Sequence, residues 1–245
     1  MSDRGALGRD KQPDRIAGMF DAIAPRYDLL NHLLSAGMDL RWRAKAIRAL
    51  ALRGGETVLD LCAGTGDLAM ASAAASPAAA MVVGLDFSSE MLRLAAAKVN
   101  RRGLARRVRL VQGDATHIPL ADASVDAVTV AFGIRNVERP EQAFADVFRV
   151  LRPGGRFAML EFGVPRLPVV RQAYLAYFTH VLPRIGSLVS RHTLAYAYLP
   201  ASVGAFPRPD QVMASLSATG FSQVQADSLS LGVVYLYGAR KAPRT

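Results

Sequence analysis

Between residues 57 and 160, five short β-prone runs alternate with helical stretches, and no other feature of the 245-residue chain constrains its fold as strongly. The runs are Thr57-Val-Leu-Asp-Leu61, Met81-Val-Val-Gly-Leu85, Val108-Arg-Leu-Val111, Val125-Asp-Ala-Val-Thr-Val130 and Phe157-Ala-Met-Leu160. Helical stretches at 67–75, 88–101 and 140–151 separate most of them. Strands this apolar need cover on both faces, and helices between successive strands supply it. The expectation is therefore a doubly wound, mostly parallel α/β sheet. In such a sheet ligands bind beyond the carboxyl ends of the strands, beside the point where strand order reverses, so the residues after each strand matter most.

The rest of the chain divides around that core. Residues 1–15 are polar, aperiodic and read as a tail; 16–53 form a helical cap whose apolar spacing is interrupted at Pro25 and Gly37; 55–162 are the core. An insertion at 163–208 and a C-terminal helix with a strand hairpin at 209–245 complete one domain. Apolar residues at 51% exclude a solvated coil. A single Cys rules out an intrachain disulfide, argues against a cysteine-based zinc site and points to a reducing compartment; no metal is expected. The start of the chain lacks an apolar leader and no uncharged run is long enough to span a bilayer, so the expected location is the cytoplasm, with room for peripheral association with the inner face of the membrane. Lys+Arg 30 against Asp+Glu 20 favours polyanionic surfaces or ligands without choosing among nucleic acid, lipid and phosphorylated substrate. The cluster Arg101, Arg102, Arg106, Arg107 and Arg109 reads as a solvated helix end.

The first run ends at Asp60 and passes into Leu61-Cys-Ala-Gly64-Thr-Gly66-Asp67, a strand, glycine turn and helix start. Gly64 and Gly66 allow backbone to approach a ligand, and the helix start presents free amides. Gly64-x-Gly66-x-x-Ala69 also fits a dinucleotide fingerprint. Asp60, four residues before the first glycine, disfavours a pyrophosphate there and favours a cationic ligand such as S-adenosylmethionine (SAM). Asp86 closes the second run and suits a ribose diol; Asp114 follows the third and suits an adenine amine. Each acid alone would read as a cap or turn former, but three at successive strand ends carry more weight.

With Arg152-Pro-Gly-Gly155 leading into the fifth run, these features resemble the class I SAM-dependent methyltransferases over residues 55–162. Further motifs extend the likeness over nearly the whole chain: Met19-Phe-Asp-Ala-Ile-Ala-Pro-Arg-Tyr-Asp28, Leu30-Asn31, Arg41-Trp42, Phe132-Gly-Ile-Arg-Asn136 and His180-Val-Leu-Pro-Arg-Ile-Gly186 are similar to the quinone-biosynthesis C-methyltransferase family. The resemblance implies a Rossmann-like seven-stranded sheet with a helical lid after the fifth strand. It also implies SAM as methyl donor and a lipid-soluble polyprenylated benzoquinol or naphthoquinol as acceptor, in ubiquinone or menaquinone biosynthesis. By motif position it implies cofactor contacts at Thr65, Asp86, Asp114 and Ala115, with Ala131 lining the site where many members carry Ser. Cys62 and Ala63 stand where other members are richer in glycine.

Methyl transfer to a ring carbon needs near-attack positioning and support for phenolate character at the quinol oxygen. Arg135 and Asn136, after the fourth run, are the candidates for gripping that oxygen. Tyr27 and Asp28 are candidates for orienting the ring or relaying a proton, and Asp67 is either a helix-start acid or a partner to a catalytic water. His180 reads as a core or lid residue. Between Phe162 and Pro209 there is no Asp or Glu, whereas Arg166, Arg171, Arg184, Arg191 and Arg208 alternate with tyrosines and phenylalanines. That composition suits contact with an anionic membrane, and equally a homodimer interface. A nucleic-acid methyltransferase would carry a base-stacking or Pro-Cys motif after the fourth strand; Phe-Gly-Ile-Arg-Asn is neither, so no nucleic-acid partner is expected. A non-catalytic SAM- or membrane-binding scaffold remains the reading from another class, and an NAD-linked oxidoreductase is opposed by Asp60.

Overall fold

The computed structural model describes residues 13–75, 81–181 and 193–243. The chain opens with α1 (Pro13–Leu34) and α2 (Met38–Leu50), then alternates β1 (Thr57–Leu61), α3 (Asp67–Ala75), β2 (Met81–Asp86), α4 (Ser89–Arg101), β3 (Val108–Gln112) and β4 (Val125–Ala131). A 3-10 turn (Ile134–Asn136), α5 (Pro140–Val150) and the long β5 (Leu151–Phe162) follow. Beyond β5 come α6 (Pro168–Ala176), a π-helical turn (Tyr177–Val181), α7 (Thr193–Ala205), α8 (Pro209–Ala218), β6 (Ser222–Leu229), a 3-10 turn (Ser230–Gly232) and β7 (Val234–Arg240).

The seven strands lie in the order β3-β2-β1-β4-β5-β7-β6, with β1 to β5 parallel and β7 antiparallel to both its neighbours. After β1 the chain winds outward through β2 to β3 and then returns to the other side of β1 as β4, so order reverses between β1 and β4. Both faces of the sheet are filled: Leu59, Val128, Val147 and Phe157 belong to one apolar cluster, and Val58, Ala127, Met70 and Leu160 to the other. Alternate strand residues therefore feed opposite layers, which is why the runs read as continuously apolar.

The helical cap differs from its expected form at one point. Gly37 does break it, with φ +74 at the start of α2, but α1 continues through Pro25. The missing proline N–H removes one intrahelical bond, and side chains of α1 that bond to the core hold the helix down, as described below.

Candidate functional site

A cavity of about 500 Å³ opens beyond the carboxyl ends of β1 to β4, at the reversal point. One wall is made by strand ends and the loops that follow them: Gly64, Asp86, Phe87, Asp114, Ala115 and Ala131. The opposite wall comes from α1, through Ile16, Ala17, Phe20 and Asp21. Asn136 and Phe132 close a third side.

Asp86 is 5% exposed, and its carboxylate organises the site. Oδ2 accepts the Gly64 amide at 2.7 Å and Oδ1 accepts the Ser88 amide at 2.9 Å. Burial raises the pKa of this acid against the opposing effect of those amides. A carboxylate offers about four acceptor positions, so acceptor capacity remains for a ligand. Asp114 lies on the same wall, where Oδ1 accepts the Thr116 amide at 2.7 Å. It is thus both the turn former and a group facing the cavity.

The two glycines have different jobs. Gly64 lines the cavity at φ +56, with open space where a Cβ would stand. Gly66 is absent from the wall: it adopts φ +81, and a Cβ there would come within 3.1 Å of the Ala95 Cβ of α4. Both that backbone angle and the packing against α4 require glycine there. Cys62 and Phe132, after β1 and β4, hold positive φ values of +54 and +60 at the cavity edge, and a Cβ on Gly133 would sit 2.3 Å from the Cys62 Cβ. Burial and the neighbouring carboxylates of Asp86 and Asp60 push the Cys62 thiol up, so it is a neutral wall group.

Several expected contacts lie elsewhere. Asp60 is 1% exposed and turned into the sheet, where the Thr129 hydroxyl donates to Oδ1 at 3.0 Å; burial pushes its pKa up to about 7. It underlies the glycine loop without reaching the cavity wall. Thr65 and Asp67 are also off the wall and belong to a polar cluster behind the loop. There Lys98 Nζ pairs with Asp67, with Asp28 Oδ2 at 2.7 Å and with Thr65 Oγ1 at 3.1 Å, while the Thr65 hydroxyl donates to Asp28 Oδ1 at 2.5 Å. Asp28 is therefore a tether of α1 to the core. A second tether joins the Ser88 hydroxyl to Asp21 Oδ1 at 2.5 Å. The side chain of Tyr27, and Arg184 and Arg191, lie outside the described residues.

Arg135 and Asn136 separate. Asn136 faces the cavity, and its Oδ1 accepts the Tyr198 hydroxyl of α7 at 3.1 Å. Arg135 is buried and turned away: its guanidinium pairs with Glu161 at 2.9 Å, donates to the Phe132 carbonyl and lies 5.3 Å from the Phe162 ring centroid. Glu161 also accepts the Arg135 amide at 3.2 Å and the Phe162 amide at 2.9 Å. In this arrangement the Arg135 charge is paired with Glu161 inside the turn that presents Asn136. Sequence reasoning missed Glu161, although an acid inside the apolar run of β5 was the available signal. It also missed Lys98, Asp21 and Ser88, for which no local signal exists. Among the described residues no group of His, Cys, Asp or Glu is placed to hold a metal ion.

The geometry agrees with what comparison finds. The model of the ubiE/COQ5 methyltransferase family matches residues 9–241. The chain belongs to that family. The ubiquinone/menaquinone biosynthesis C-methyltransferase UbiE of Syntrophotalea carbinolica is 46% identical over 237 residues, 96% of each chain. The demethylmenaquinone methyltransferase of Thermus thermophilus is 46% identical over 219 residues, covering 89% of this chain and 98% of that one. In fold the chain is similar to the cyclase SpnF (TM-score 0.66, 19% identity, 94% and 96% covered) and to a SAM-dependent methyltransferase from Aquifex aeolicus (TM-score 0.60, 19% identity, 82% and 89% covered). It is a SAM-dependent methyltransferase of the class I fold.

Proposed function

We propose that this chain methylates a ring carbon of a polyprenylated quinol with SAM as donor, in menaquinone or ubiquinone biosynthesis or both. The observation that carries this reading is the family match across residues 9–241 together with a cavity whose walls suit both ligands. SAM supplies an electrophilic methyl group on a sulfonium. Asp86, buried yet with acceptor capacity left, fits a ribose diol; Asp114 and Ala115 fit the adenine edge. With Oδ1 engaged by Tyr198, the Nδ2 amide of Asn136 is the group offered to a quinol oxygen, where it supports phenolate character. Arg135, fixed by Glu161, holds the turn that aims Asn136. Asp60 tunes the loop from beneath.

No helix among the described residues is long and apolar enough to cross a membrane. Because the acceptor is a bilayer lipid, the 163–208 segment serves in this reading as cover for the quinol and as a peripheral contact with anionic membrane. The test is methyl transfer from labelled SAM to a short-chain demethylmenaquinol and a short-chain 2-methoxy-6-prenyl-benzoquinol under reducing conditions, with wild type and Asn136→Ala. Turnover of at least one quinol, sharply reduced in the variant while SAM affinity persists, is expected. No turnover of either despite SAM binding overturns the reading.

A further inference from the structure

Among the described residues eight large aliphatic or methionine side chains stand exposed: Met38, Leu40, Val164, Leu167, Val169, Leu175, Val181 and Leu231. In the sequence they are scattered over nearly two hundred positions. In the fold they come from three segments that touch. The Ser230 hydroxyl accepts the indole N–H of Trp42 at 3.0 Å and contacts the Met38 sulfur at 3.7 Å, which joins the start of α2 to the 3-10 turn before β7. The Gly163 amide donates to the Val233 carbonyl at 3.0 Å, and a Cβ on Gly232 would lie 3.4 Å from the Pro165 Cα, which joins that same turn to the segment after β5.

Leu231 is the most informative of the eight. It is 65% exposed and held at φ +61 inside a short turn. Glycine or asparagine adopts that backbone cheaply, whereas a leucine is strained there and gains nothing from burial within the chain. Val169 on α6 is 80% exposed, and α6 buries none of its residues. The surrounding charges are cationic: Arg41 beside Leu40, and Arg166 and Arg171 beside Val164, Leu167 and Val169, are all exposed. Acids on α2, β5 and β6 carry partners. Asp39 is buried against His32, Glu161 against Arg135, and Asp227 lies 3.7 Å from Lys45.

Behind this surface a cluster of rings leads to the cavity. Trp42 lies edge-on to Phe132 and Phe162, with centroids 6.0 and 6.5 Å away, and Phe132, 4.5 Å from Phe162, is a cavity wall residue. Trp42, Phe162 and Phe132 thus form a chain of ring contacts from the start of α2 to the cavity wall, with the Arg43 and Arg135 guanidinium groups packed on Phe132 and Phe162.

We propose that the start of α2, the Ser230–Gly232 turn and the 163–181 segment form one composite docking face for an anionic lipid bilayer, with Met38, Leu40 and Leu231 as inserting residues and Arg41, Arg166 and Arg171 on the headgroups. This deepens the quinol reading and rests on it. It differs from a lid-only contact because two of its three segments lie outside the 163–208 insertion. Exposed apolar side chains rimmed by cations are the signature of an interfacial contact, whose strength grows with apolar area and with anionic lipid.

The test is co-sedimentation of the full chain with phosphatidylcholine vesicles containing 30% phosphatidylglycerol, and with pure phosphatidylcholine, comparing wild type, Leu231→Asn and the double variant Met38→Gln/Leu40→Gln. Asparagine suits the backbone at 231, so loss of folding does not confound that arm. Wild type should bind the anionic vesicles, and each variant should partition at least tenfold more weakly. Turnover of a water-soluble short-chain quinol should stay at wild-type level, while turnover of a long-chain quinol presented in those vesicles falls with binding. Equal binding by wild type and variants overturns the face, as does absence of wild-type binding. A wild-type dimer that Leu231→Asn converts to monomer overturns it in favour of a second copy of the chain. Failure of short-chain turnover by wild type would instead strike the quinol reading, so the two failures are distinguishable.

Discussion

The cavity is bounded by two unlike walls. On the strand-end side, Asp86, Asp114 and Ala131 are placed by the parallel register of β1 to β4 and by backbone amides that bond directly to the carboxylates. On the helix side, Ile16, Phe20 and Asp21 are placed by α1, which is held to the core by polar side chains: Asp28 to Lys98 and Thr65, and Asp21 to Ser88. Backbone ladders are cooperative and shielded from water. A few part-buried side-chain pairs lack that cooperativity, so the second wall can be loosened without melting the sheet. The strand side is therefore fixed by backbone ladders and the helix side by side-chain tethers.

That contrast can be broken most forcefully at Glu161. Replacing it by Ala leaves the buried Arg135 guanidinium without its partner, which should destabilise the protein by about 3–5 kcal/mol. Thermal unfolding reads the loss, and the more isosteric Glu161→Gln should recover part of it. Next in size is Asp86→Ala, which leaves the Gly64 and Ser88 amides without an acceptor and removes the buried carboxylate. SAM affinity measured by calorimetry should fall on the order of 100-fold, about 2.7 kcal/mol. An unchanged dissociation constant would mean that the strand-end wall is not where the cofactor binds.

The helix side should respond more weakly and differently. Lys98→Met removes the centre of the Asp28–Thr65–Asp67 cluster, with an expected stability loss of roughly 1 kcal/mol. Hydrogen exchange should show faster amide exchange confined to α1, and added salt should reproduce part of the effect in wild type but not in the variant. Uniform protection of α1 in the variant would erase the distinction between the walls. Asp60 adds an effect that depends on pH. Its pKa in the folded chain, about 7, lies above the unfolded value of 3.8. The folded state therefore retains that proton, and the stability associated with the neutral carboxyl is full below pH 4 and lost as pH rises toward and through 7. Asp60→Asn should flatten the melting temperature between pH 5 and 8, changing little at the acid end.

Much of the strand-end wall was legible along the chain. The helical stretches at 67–75, 88–101 and 140–151 correspond closely to α3, α4 and α5, and the five runs lie within β1 to β5. Asp86, Asp114, Ala115, Ala131 and Asn136 do face the cavity, because the residue after a parallel strand has few other places to go. Where a residue one or two positions further points is a different matter. Thr65, Gly66 and Asp67 share the same short turn as Gly64, yet they serve helix packing and the Lys98 cluster. Arg135 and Asn136 are adjacent, yet one is buried in an ion pair and the other is at the wall.

The sequence by itself determined the five core strands, the helices between them and the family, because apolar periodicity, strand-end acids and short motifs are local properties of the chain. Only the tertiary structure decided which neighbours of those motifs reach the cavity, how α1 is fastened and which scattered apolar residues share a surface. Those outcomes depend on contacts such as Asp28 with Lys98, Arg135 with Glu161 and Met38 with Ser230, each between residues far apart in sequence. Local patterning carries no information about such pairs until the sheet brings them together.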